Sequence, residues 1–483
     1  MFKYKKYIFW LFIVLVISAL LRYSYLTSES LWVDEAFGLW LSRLSLSRMI
    51  EVINNIDAHP PLFYLLFRLW SRFGEDVFFI RVPFPLINLF AILFIYKFTS
   101  RLISPIAGLA AALFMGISFY CVSISQMARM YVLVMFLISI SIYCWIEYLK
   151  SGSKSALVIY SACELASFYT LYISLIPYFF LGLESLFYFY FKARNKLKEF
   201  ILSQALVIVL FSFWVPFMFH QSKRGMGSVF PYPTVKLLIF HLYYLLYGEI
   251  ISWSGMVGVE WEMWIELIMI LVATGVIIYG YVKEKDDIAR ILMRVLAFGY
   301  LIVLIISSTS SKHLYASRYI FYLWPFIAFS LGVGFKNLFF KGFGKGLAIL
   351  FLVLWSVFNI SALFHLYFNP LVQLPDWERA AEIVTVEEAP GDLILIQRIY
   401  VVFPFLYYYR GVNEVYGIKN SNELPPQVLK AKRIWLVLDM PWIEDPDLTL
   451  IRWIKKNYLP EKNFLLESIH EGEGIQITLY LKK

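Results

Sequence analysis

Charged residues and cysteines are both scarce in this sequence of 483 residues. Only 16% of the residues are Asp, Glu, Lys or Arg, whereas 60% are hydrophobic and 19% are aromatic, which is too apolar for a soluble globular protein. The three cysteines, Cys121, Cys144 and Cys163, lie within hydrophobic runs and have no paired spacing. This pattern argues against a disulfide framework and against a cysteine metal site.

The formal net charge of +9 does not indicate nucleic-acid binding. The basic residues flank the hydrophobic runs on alternate sides, which is how membrane topology is encoded, and 18 of the 43 fall in connections that we predict to be cytoplasmic. The N-terminal run after Lys3, Lys5 and Lys6 resembles a signal peptide but lacks a small-residue cleavage site. We therefore predict an uncleaved first span with a cytoplasmic N-terminus.

Hydrophobic runs of near twenty residues recur through the first three quarters of the sequence, and each is long enough to cross about 30 Å of hydrocarbon as a helix. We predict about eleven membrane-spanning helices, at residues 7–21, 78–98, 104–121, 130–149, 155–172, 173–191, 200–219, 263–282, 290–307, 316–334 and 346–366. An odd number of spans places the residues after about 367 on the outer side of the membrane. The fold class predicted for this part is a membrane all-α bundle.

We predict two domains, a polytopic membrane domain over residues 1–366 and a small extracytoplasmic α/β domain over residues 367–483. The outer loop at 26–77 contains two amphipathic stretches, at 39–52 and 61–73, which indicate juxtamembrane helices lying in the interface. Beyond the last span, short helical stretches alternate with β-strand patterns, which is typical of an α/β domain. This second domain carries no Gly-rich phosphate loop and no metal-ligand spacing, so we expect it to support the membrane domain or recognise an acceptor.

On this topology, polar motifs collect at the outer face of the membrane. The candidate site residues are Asp34, Glu35, His59, Arg129, Tyr131, Lys223, Arg224, Lys312, Arg318 and Tyr319. Carboxylates with several cations at the outer leaflet suit a lipid phosphate whose sugar is transferred to an acceptor. The cations would bind and neutralise the phosphate leaving group, and a carboxylate would take the proton from the attacking hydroxyl.

Each of these residues also has a purely structural interpretation. An Asp-Glu pair on a loop is often only solvated, and His59 before two prolines can cap and stiffen the start of a helix. Arg129 and Arg318 can snorkel from the membrane to its interface. A divalent metal ion held by Glu35 and nearby histidines stays open, although the spacing matches no known ligand pattern.

Two acidic residues, Glu164 and Glu184, fall in the middle of predicted spans. An acidic side chain at the bilayer centre costs about 2.5–3.5 kcal/mol on insertion scales, so these residues favour an alternative function as a transporter or flippase of lipid-linked sugars. Inverted repeats or paired broken helices would support that alternative, and the sequence shows neither. A third interpretation is an enzyme that polymerises or ligates lipid-linked oligosaccharides.

Five motifs carry a resemblance to a known family. They are Trp32-Val33-Asp34-Glu35, His59-Pro60-Pro61-Leu62-Phe63-Tyr64, Arg81-Val82-Pro83, Ala128-Arg129-Met130-Tyr131 and Arg318-Tyr319, in this order. In these motifs the sequence resembles the polytopic C-type (GT-C) glycosyltransferases, most closely the dolichyl-phosphate-mannose protein mannosyltransferases and their bacterial relatives, including the lipid A aminoarabinose transferases. The similarity runs over most of the chain and is densest in residues 28–135.

The resemblance implies a polyprenyl-phosphate sugar donor, a protein, lipid or glycan acceptor, and transfer with inversion at the outer face. It implies that Asp34 is the base or acceptor-binding carboxylate, that Glu35 positions Asp34 or a metal ion, and that Arg129 and Arg318 face the phosphate. Many bacterial relatives have Tyr-Thr-His near the outer end of the fifth span, whereas this sequence has Tyr169-Thr170-Leu171-Tyr172. We therefore interpret the chain as an integral-membrane glycosyltransferase with Asp34 and Glu35 as catalytic residues, lacking that histidine.

Overall fold

The computed structural model of the chain describes residues 2–223, 234–248, 260–309, 317–368, 375–467 and 474–483. Two of the predicted site residues, Arg224 and Lys312, lie outside the described residues. The described part up to residue 368 is mostly helical, and a five-stranded sheet with flanking helices follows it. The predicted fold class, a membrane all-α bundle with a small C-terminal α/β domain, is confirmed.

Eight helical stretches of the described residues are long and apolar enough to cross a membrane: Lys5–Tyr23, Val77–Leu102, Met130–Ser151, Tyr172–Lys192, Met263–Lys283, Asp287–Thr309, Arg318–Phe339 and Gly342–Phe368. Two further pairs of helices are bent by 60° and 55° at a short break, and the number of spans is ten if each pair is one span. The chain is therefore a multi-pass membrane protein.

The helices of this part are, in chain order, α1 (Phe2–Tyr23), α2 (Val33–Arg43), α3 (Leu46–Asn55), α4 (Leu62–Ser71), α5 (Val77–Arg81), α6 (Pro83–Leu102), α7 (Pro105–Gly116), α8 (Phe119–Ser125), α9 (Met130–Ser151), α10 (Lys154–Phe168), α11 (Leu175–Lys192), α12 (Arg194–Ser212), α13 (Val215–Lys223), α14 (Val235–Tyr247), α15 (Glu260–Lys283), α16 (Asp287–Thr309), α17 (Ser317–Ile320), α18 (Trp324–Phe339) and α19 (Gly342–Phe368). The bent pairs are α7 with α8 and α12 with α13.

The span predicted at residues 155–172 is shorter in the structure. Helix α10 has 15 residues, a rise of about 22 Å, which is less than the thickness of the hydrocarbon core. Contacts hold both ends of this helix in the bundle. At its start, Lys154 pairs with Glu199 at 3.2 Å. Just beyond its end, the carbonyl of Tyr169 accepts the N–H of Leu62, in the loop at residues 26–77, at 2.9 Å.

The loop at residues 26–77 contains three helices instead of the two predicted amphipathic stretches. The stretch predicted at 39–52 is divided between α2 and α3, and the hydroxyl of Ser45 caps α3 by accepting the N–H of Arg48 at 3.3 Å. Helix α4 lies within the stretch predicted at 61–73. Asp34 and Glu35 both lie in the first turn of α2 and not in an irregular part of this loop.

The C-terminal domain contains the helices α20 (Trp377–Glu387), α21 (Val402–Tyr408) and α22 (Thr449–Asn457) and the strands β1 (Leu393–Gln397), β2 (Val415–Ile418), β3 (Arg433–Leu438), β4 (Tyr458–Glu467) and β5 (Gly474–Lys482). The strand order is β2-β1-β3-β5-β4, in which β1 runs parallel to β2 and β3, while β5 is antiparallel to β3 and β4. All five residues of β1 are buried, because α20 and α21 cover one face of the sheet and α22 covers the other. Strand β2 was not predicted from the sequence.

Candidate active site

The centre of the candidate site is an ion pair between Asp34 and Arg129. A carboxylate oxygen of Asp34 lies 3.3 Å from Nη2 of Arg129, and Nη1 of the same guanidinium donates to the backbone carbonyl of Asp34 at 3.3 Å. The side chain of Asp34 is 37% exposed, whereas that of Arg129 is only 4% exposed. The pair therefore presents an accessible carboxylate in front of a buried cation.

The guanidinium of Arg129 keeps part of its hydrogen-bonding capacity. Its buried Nε has no acceptor among the residues that the structure describes. Burial alone would lower the pKa of Arg129, but the carboxylate of Asp34 and nearby groups outweigh it and raise this pKa above its usual value. Arg129 is therefore a fixed positive charge beside the carboxylate of Asp34.

Glu35 occupies a different environment from its neighbour. Its side chain is 0% exposed and forms a double ion pair with Arg81, at 3.0 Å to Nε and 2.6 Å to Nη2. The same carboxylate accepts the N–H of Trp32 at 3.0 Å and the N–H of Ala128 at 2.7 Å. Four donors thus surround Glu35.

These contacts correct the prediction that Glu35 is catalytic. A buried carboxylate whose oxygens already accept four hydrogen bonds has no free face for a substrate. Its bond to the N–H of Ala128 instead connects the first turn of α2 to the residue before Arg129. Glu35 therefore connects the two segments that carry Asp34 and Arg129.

His59 lies beside a second carboxylate, that of Asp57. Nδ1 of His59 is 2.9 Å from Oδ1 of Asp57, and the carbonyl of His59 accepts a bond from Gln221 at 3.4 Å. Burial acts to raise the pKa of Asp57, but His59, Tyr64 and Arg129 together lower it to about 2. Asp57 is therefore an anion near the site. It is not among the site residues predicted from the sequence, although it lies two residues before His59.

Tyr131, Arg318 and Tyr319 complete the described cluster. The guanidinium of Arg129 lies 5.8 Å from the ring centre of Tyr131, and that of Arg318 lies 5.6 Å from the ring centre of Tyr319. Asp34, Arg129, Tyr131 and Arg318 all interact electrostatically with the phenol of Tyr319. The tenth predicted span thus starts at the same end of the bundle as Asp34, as the predicted topology requires.

The bend between α7 and α8 determines where Arg129 lies. The buried guanidinium of Arg22 donates to the carbonyls of Gly116 at 2.6 Å and Met115 at 3.2 Å, which are the last residues of α7. A cation at this position stabilises the exposed carbonyls of a helix C-terminus. Helix α8 then leaves at 60°, and Gln126 after it donates to the carbonyl of Arg22 at 3.2 Å. The chain is thereby held just before Arg129.

The remaining predicted cations are not part of this cluster in the described residues. Lys223 is exposed at the end of α13, and Arg224 and Lys312 lie outside the described residues, as does His313. Among the residues that the structure describes, no three His, Cys, Asp or Glu side chains come together as a metal site. Asp57 and His59 would supply two ligands to a divalent ion, and no further ligand is described beside them.

The two acidic residues predicted in the middle of spans, Glu164 and Glu184, both have partners. Glu184 forms a double ion pair with Arg294 of α16, at 2.6 and 2.5 Å. Glu164 accepts a bond from Gln204 of α12 at 2.9 Å and lines an apolar cavity of about 690 Å³ between α10, α11 and α12. The hydrogen bond of Glu164 and the ion pair of Glu184 therefore offset part of the free-energy cost of placing these side chains in the membrane.

A family model confirms part of the resemblance stated from the motifs. The model for dolichyl-phosphate-mannose-protein mannosyltransferases matches residues 58–219. The matched third of the chain includes His59, Arg129 and Tyr131. It begins after Asp34, so that residue is placed in the site by the structure and not by this match. No curated protein matches the sequence significantly.

Solved structures extend the similarity to the whole chain. ArnT from Cupriavidus metallidurans bound to undecaprenyl phosphate superposes with a TM-score of 0.55 at 11% identity, over 97% of this chain and 98% of ArnT. The oligosaccharyltransferase AglB from Archaeoglobus fulgidus, in complex with an inhibitory peptide and a dolichol-phosphate, superposes with a TM-score of 0.52 at 12% identity, over 100% of this chain and 75% of AglB. The chain has the C-type glycosyltransferase fold. At these identities the comparison establishes the fold, and the chemistry is argued from the residues of the site.

Within the C-type glycosyltransferase fold, two site residues had little or no signal in the sequence. Arg81 belongs to one of the five motifs, but its separation of 46 residues from Glu35 conceals the pairing in the sequence. Tyr408, in the C-terminal domain, accepts the N–H of Leu31 at 2.9 Å across 377 residues. Nothing in the local pattern around Tyr408 indicates that contact.

Proposed function

We propose that the chain is a glycosyltransferase that moves a sugar from a polyprenyl-phosphate donor to an acceptor hydroxyl, with inversion at the anomeric carbon. The observation that carries this proposal is the exposed carboxylate of Asp34 beside the buried guanidinium of Arg129, whose Nε has no acceptor among the described residues. A relative of the same fold is bound to undecaprenyl phosphate, and another to a dolichol-phosphate, which supports a lipid-phosphate donor.

The phosphate of the donor is assigned to Arg129 and Arg318. A guanidinium forms charge-assisted hydrogen bonds to phosphate oxygens, and Arg129 lies directly before the first turn of α9, where free backbone N–H groups also favour an anion. Tyr131 and Tyr319 line the same region beside the two guanidinium groups. His59, Lys223, Arg224 and Lys312 remain proposed substrate-binding residues of the same face.

In the proposed reaction, the hydroxyl oxygen of the acceptor attacks the anomeric carbon from the side opposite the phosphate. The bond between that carbon and the phosphate oxygen breaks, and the polyprenyl phosphate leaves with the bonding electrons. Asp34 takes the proton of the hydroxyl, a contribution of about 10²–10⁴-fold in rate. Arg129 and Arg318 stabilise the negative charge that develops on the leaving phosphate.

The experiment is a transfer assay on the purified protein in lipid nanodiscs. Wild-type protein is expected to release polyprenyl phosphate from a labelled polyprenyl-phosphate sugar when a protein, lipid or glycan acceptor is present, and the Asp34→Asn variant is expected to release it at least about 10²-fold more slowly. Movement of the intact labelled lipid across proteoliposomes without release of lipid phosphate would contradict the proposal and favour a flippase. Activity only with oligosaccharide donors would favour the polymerising or ligating enzyme.

The orientation in the membrane is part of the proposal. We place the N-terminus in the cytoplasm and the site with the domain at 367–483 outside the cell membrane, because basic residues collect at the opposite end of the bundle.

The three native cysteines are buried, so an introduced cysteine can be labelled with little background. An impermeant maleimide should label Val412→Cys, whose parent residue is 81% exposed, on intact cells. It should label Lys97→Cys only after permeabilisation, and the reverse pattern would contradict this orientation.

A further inference from the structure

The segment that precedes α2, residues 26–32, determines where α2 begins and therefore where Asp34 lies. Three of its backbone carbonyls accept hydrogen bonds of 3.0 Å from the guanidinium of Arg81. Trp32 is the last residue of the segment, and its N–H donates to the carboxylate of Glu35 at 3.0 Å. These bonds come from the membrane domain and from α2 itself.

The C-terminal domain holds the same segment from the other side. The N–H of Leu31 donates to the phenolic oxygen of Tyr408 at 2.9 Å. The hydroxyl of Ser30 donates to the carbonyl of Pro375 at 2.9 Å, and it accepts the N–H of Trp377 at 3.2 Å. Two consecutive residues before α2 are thus fixed by residues that follow the last membrane span.

Aromatic packing continues this contact along α2. The ring of Phe403, in the helix that carries Tyr408, lies 5.2 Å from the ring of Phe37 and 4.9 Å from that of Trp40. Phe37 is one helical turn beyond Asp34. The C-terminal domain therefore contacts both the residues before Asp34 and the turns after it.

We propose that Tyr408 is a positioning residue for Asp34, an inference that rests on the proposed glycosyl transfer. Leu31 is 0% exposed, so water cannot replace the phenolic oxygen as the acceptor for its N–H. Without that oxygen the segment has to shift until the N–H finds another acceptor, and Asp34, three residues later, shifts with it. A displacement of about 1 Å at a reacting group can lower a rate by about 10²-fold. The C-terminal domain thereby completes the active site.

The test is the Tyr408→Phe variant of the full-length protein, assayed for release of polyprenyl phosphate. We expect kcat to fall by about three- to tenfold, the range that corresponds to one neutral hydrogen bond. We expect the KM for the donor to stay within about twofold, because uniform binding of the donor by Arg129 is not altered. A rise in KM without a fall in kcat would contradict the role.

The matched control is Tyr407→Phe, in the preceding residue of the same helix. The hydroxyl of Tyr407 also bonds across this interface, to the carbonyl of Glu75 at 2.8 Å. Glu75 pairs with Arg43 at the far end of α2, away from Asp34. We expect Tyr407→Phe to keep kcat near the wild-type value, and both variants to remain folded at the assay temperature. Equal losses of kcat in the two variants would show a general effect of domain contact and overturn the assignment.

A double-mutant cycle distinguishes positioning from a general structural effect. The longer side chain of Asp34→Glu already displaces the carboxylate, so Tyr408→Phe should lower kcat less in that background than in the wild type. Fully additive losses would overturn the inference. A wild-type protein that releases no lipid phosphate would instead contradict the proposed function, so the two failures are distinguishable.

Discussion

Replacing Glu35 by glutamine keeps the shape of the side chain but removes the negative charge that faces Arg81. Both partners are buried, at 0% and 4% exposure, and the guanidinium cannot lose its proton. Removing one partner of a buried pair leaves an uncompensated charge and costs about 3–5 kcal/mol. Trp32 and Ala128 donate to different oxygens of Glu35, so the single amide oxygen of glutamine can accept only one of these two N–H groups. The expected loss is therefore the full range of about 3–5 kcal/mol.

The chain contains a matched exposed pair for comparison. Glu75 and Arg43 also form two contacts, at 3.2 and 2.8 Å, but their side chains are 41% and 50% exposed. Because water replaces an exposed ion pair at little cost, Glu75→Gln should change the free energy of unfolding by less than about 1 kcal/mol. The two substitutions are chemically identical and differ in the burial of the pair.

The assay is denaturant unfolding of the wild type and both variants in the same detergent, followed by a spectroscopic signal of helix content. A difference of about 2 kcal/mol or more between the two variants is expected from the burial of Glu35. If Glu35→Gln and Glu75→Gln unfold with the same free energy, the Glu35–Arg81 pair does not hold the site as the structure indicates.

Three further predictions follow from the site. Asp34→Asn should lower transfer by at least about 10²-fold in protein that still folds and inserts, although loss of the partner of the buried Arg129 should also lower the unfolding temperature; near-normal activity would refute its role as the base. Arg129→Gln should raise the KM for the donor and lower kcat together, measured with a labelled lipid donor; unchanged values of both would exclude contact with the phosphate. Because the pKa of Asp57 is lowered to about 2 from 3.8, its ionised form contributes about 2 kcal/mol of stability above pH 4, which is lost as the pH falls towards 2. Asp57→Asn should therefore reduce the loss of unfolding free energy between about pH 4 and pH 2. A loss equal to that of the wild type would contradict this.

The sequence predicted those features of the fold that depend on local chemistry. A run of about twenty apolar residues is stable in the hydrocarbon of a membrane and can cross it as a helix. Ten of the eleven predicted spans accordingly coincide with helices or bent helix pairs that are long enough to cross. The exception is α10, whose 15 residues end before the apolar run does. The chain turns after Phe168 so that Tyr169 meets Leu62, a contact that the hydropathy of the segment does not encode.

The role of Glu35 shows where local reasoning stops. Asp34 and Glu35 are adjacent in the sequence and chemically similar, but successive side chains of a helix point about 100° apart. One of them therefore faces Arg129 and the exposed part of the site, while the other faces Arg81 in the interior. The sequence indicated that an acidic pair mattered, and only the position of α2 against its neighbours decided which carboxylate is accessible.

By itself, the sequence determined that this is a multi-pass membrane protein with a small α/β domain, because hydrophobic length and strand patterns are properties of contiguous segments. Only the tertiary structure decided which groups meet: Glu35 with Arg81 across 46 residues, Asp34 with Arg129 across 95, and Leu31 with Tyr408 across 377. The energy of such a pair depends on the burial and distance of both partners at once. Neither quantity exists for a residue until the helices that carry the two partners have packed together.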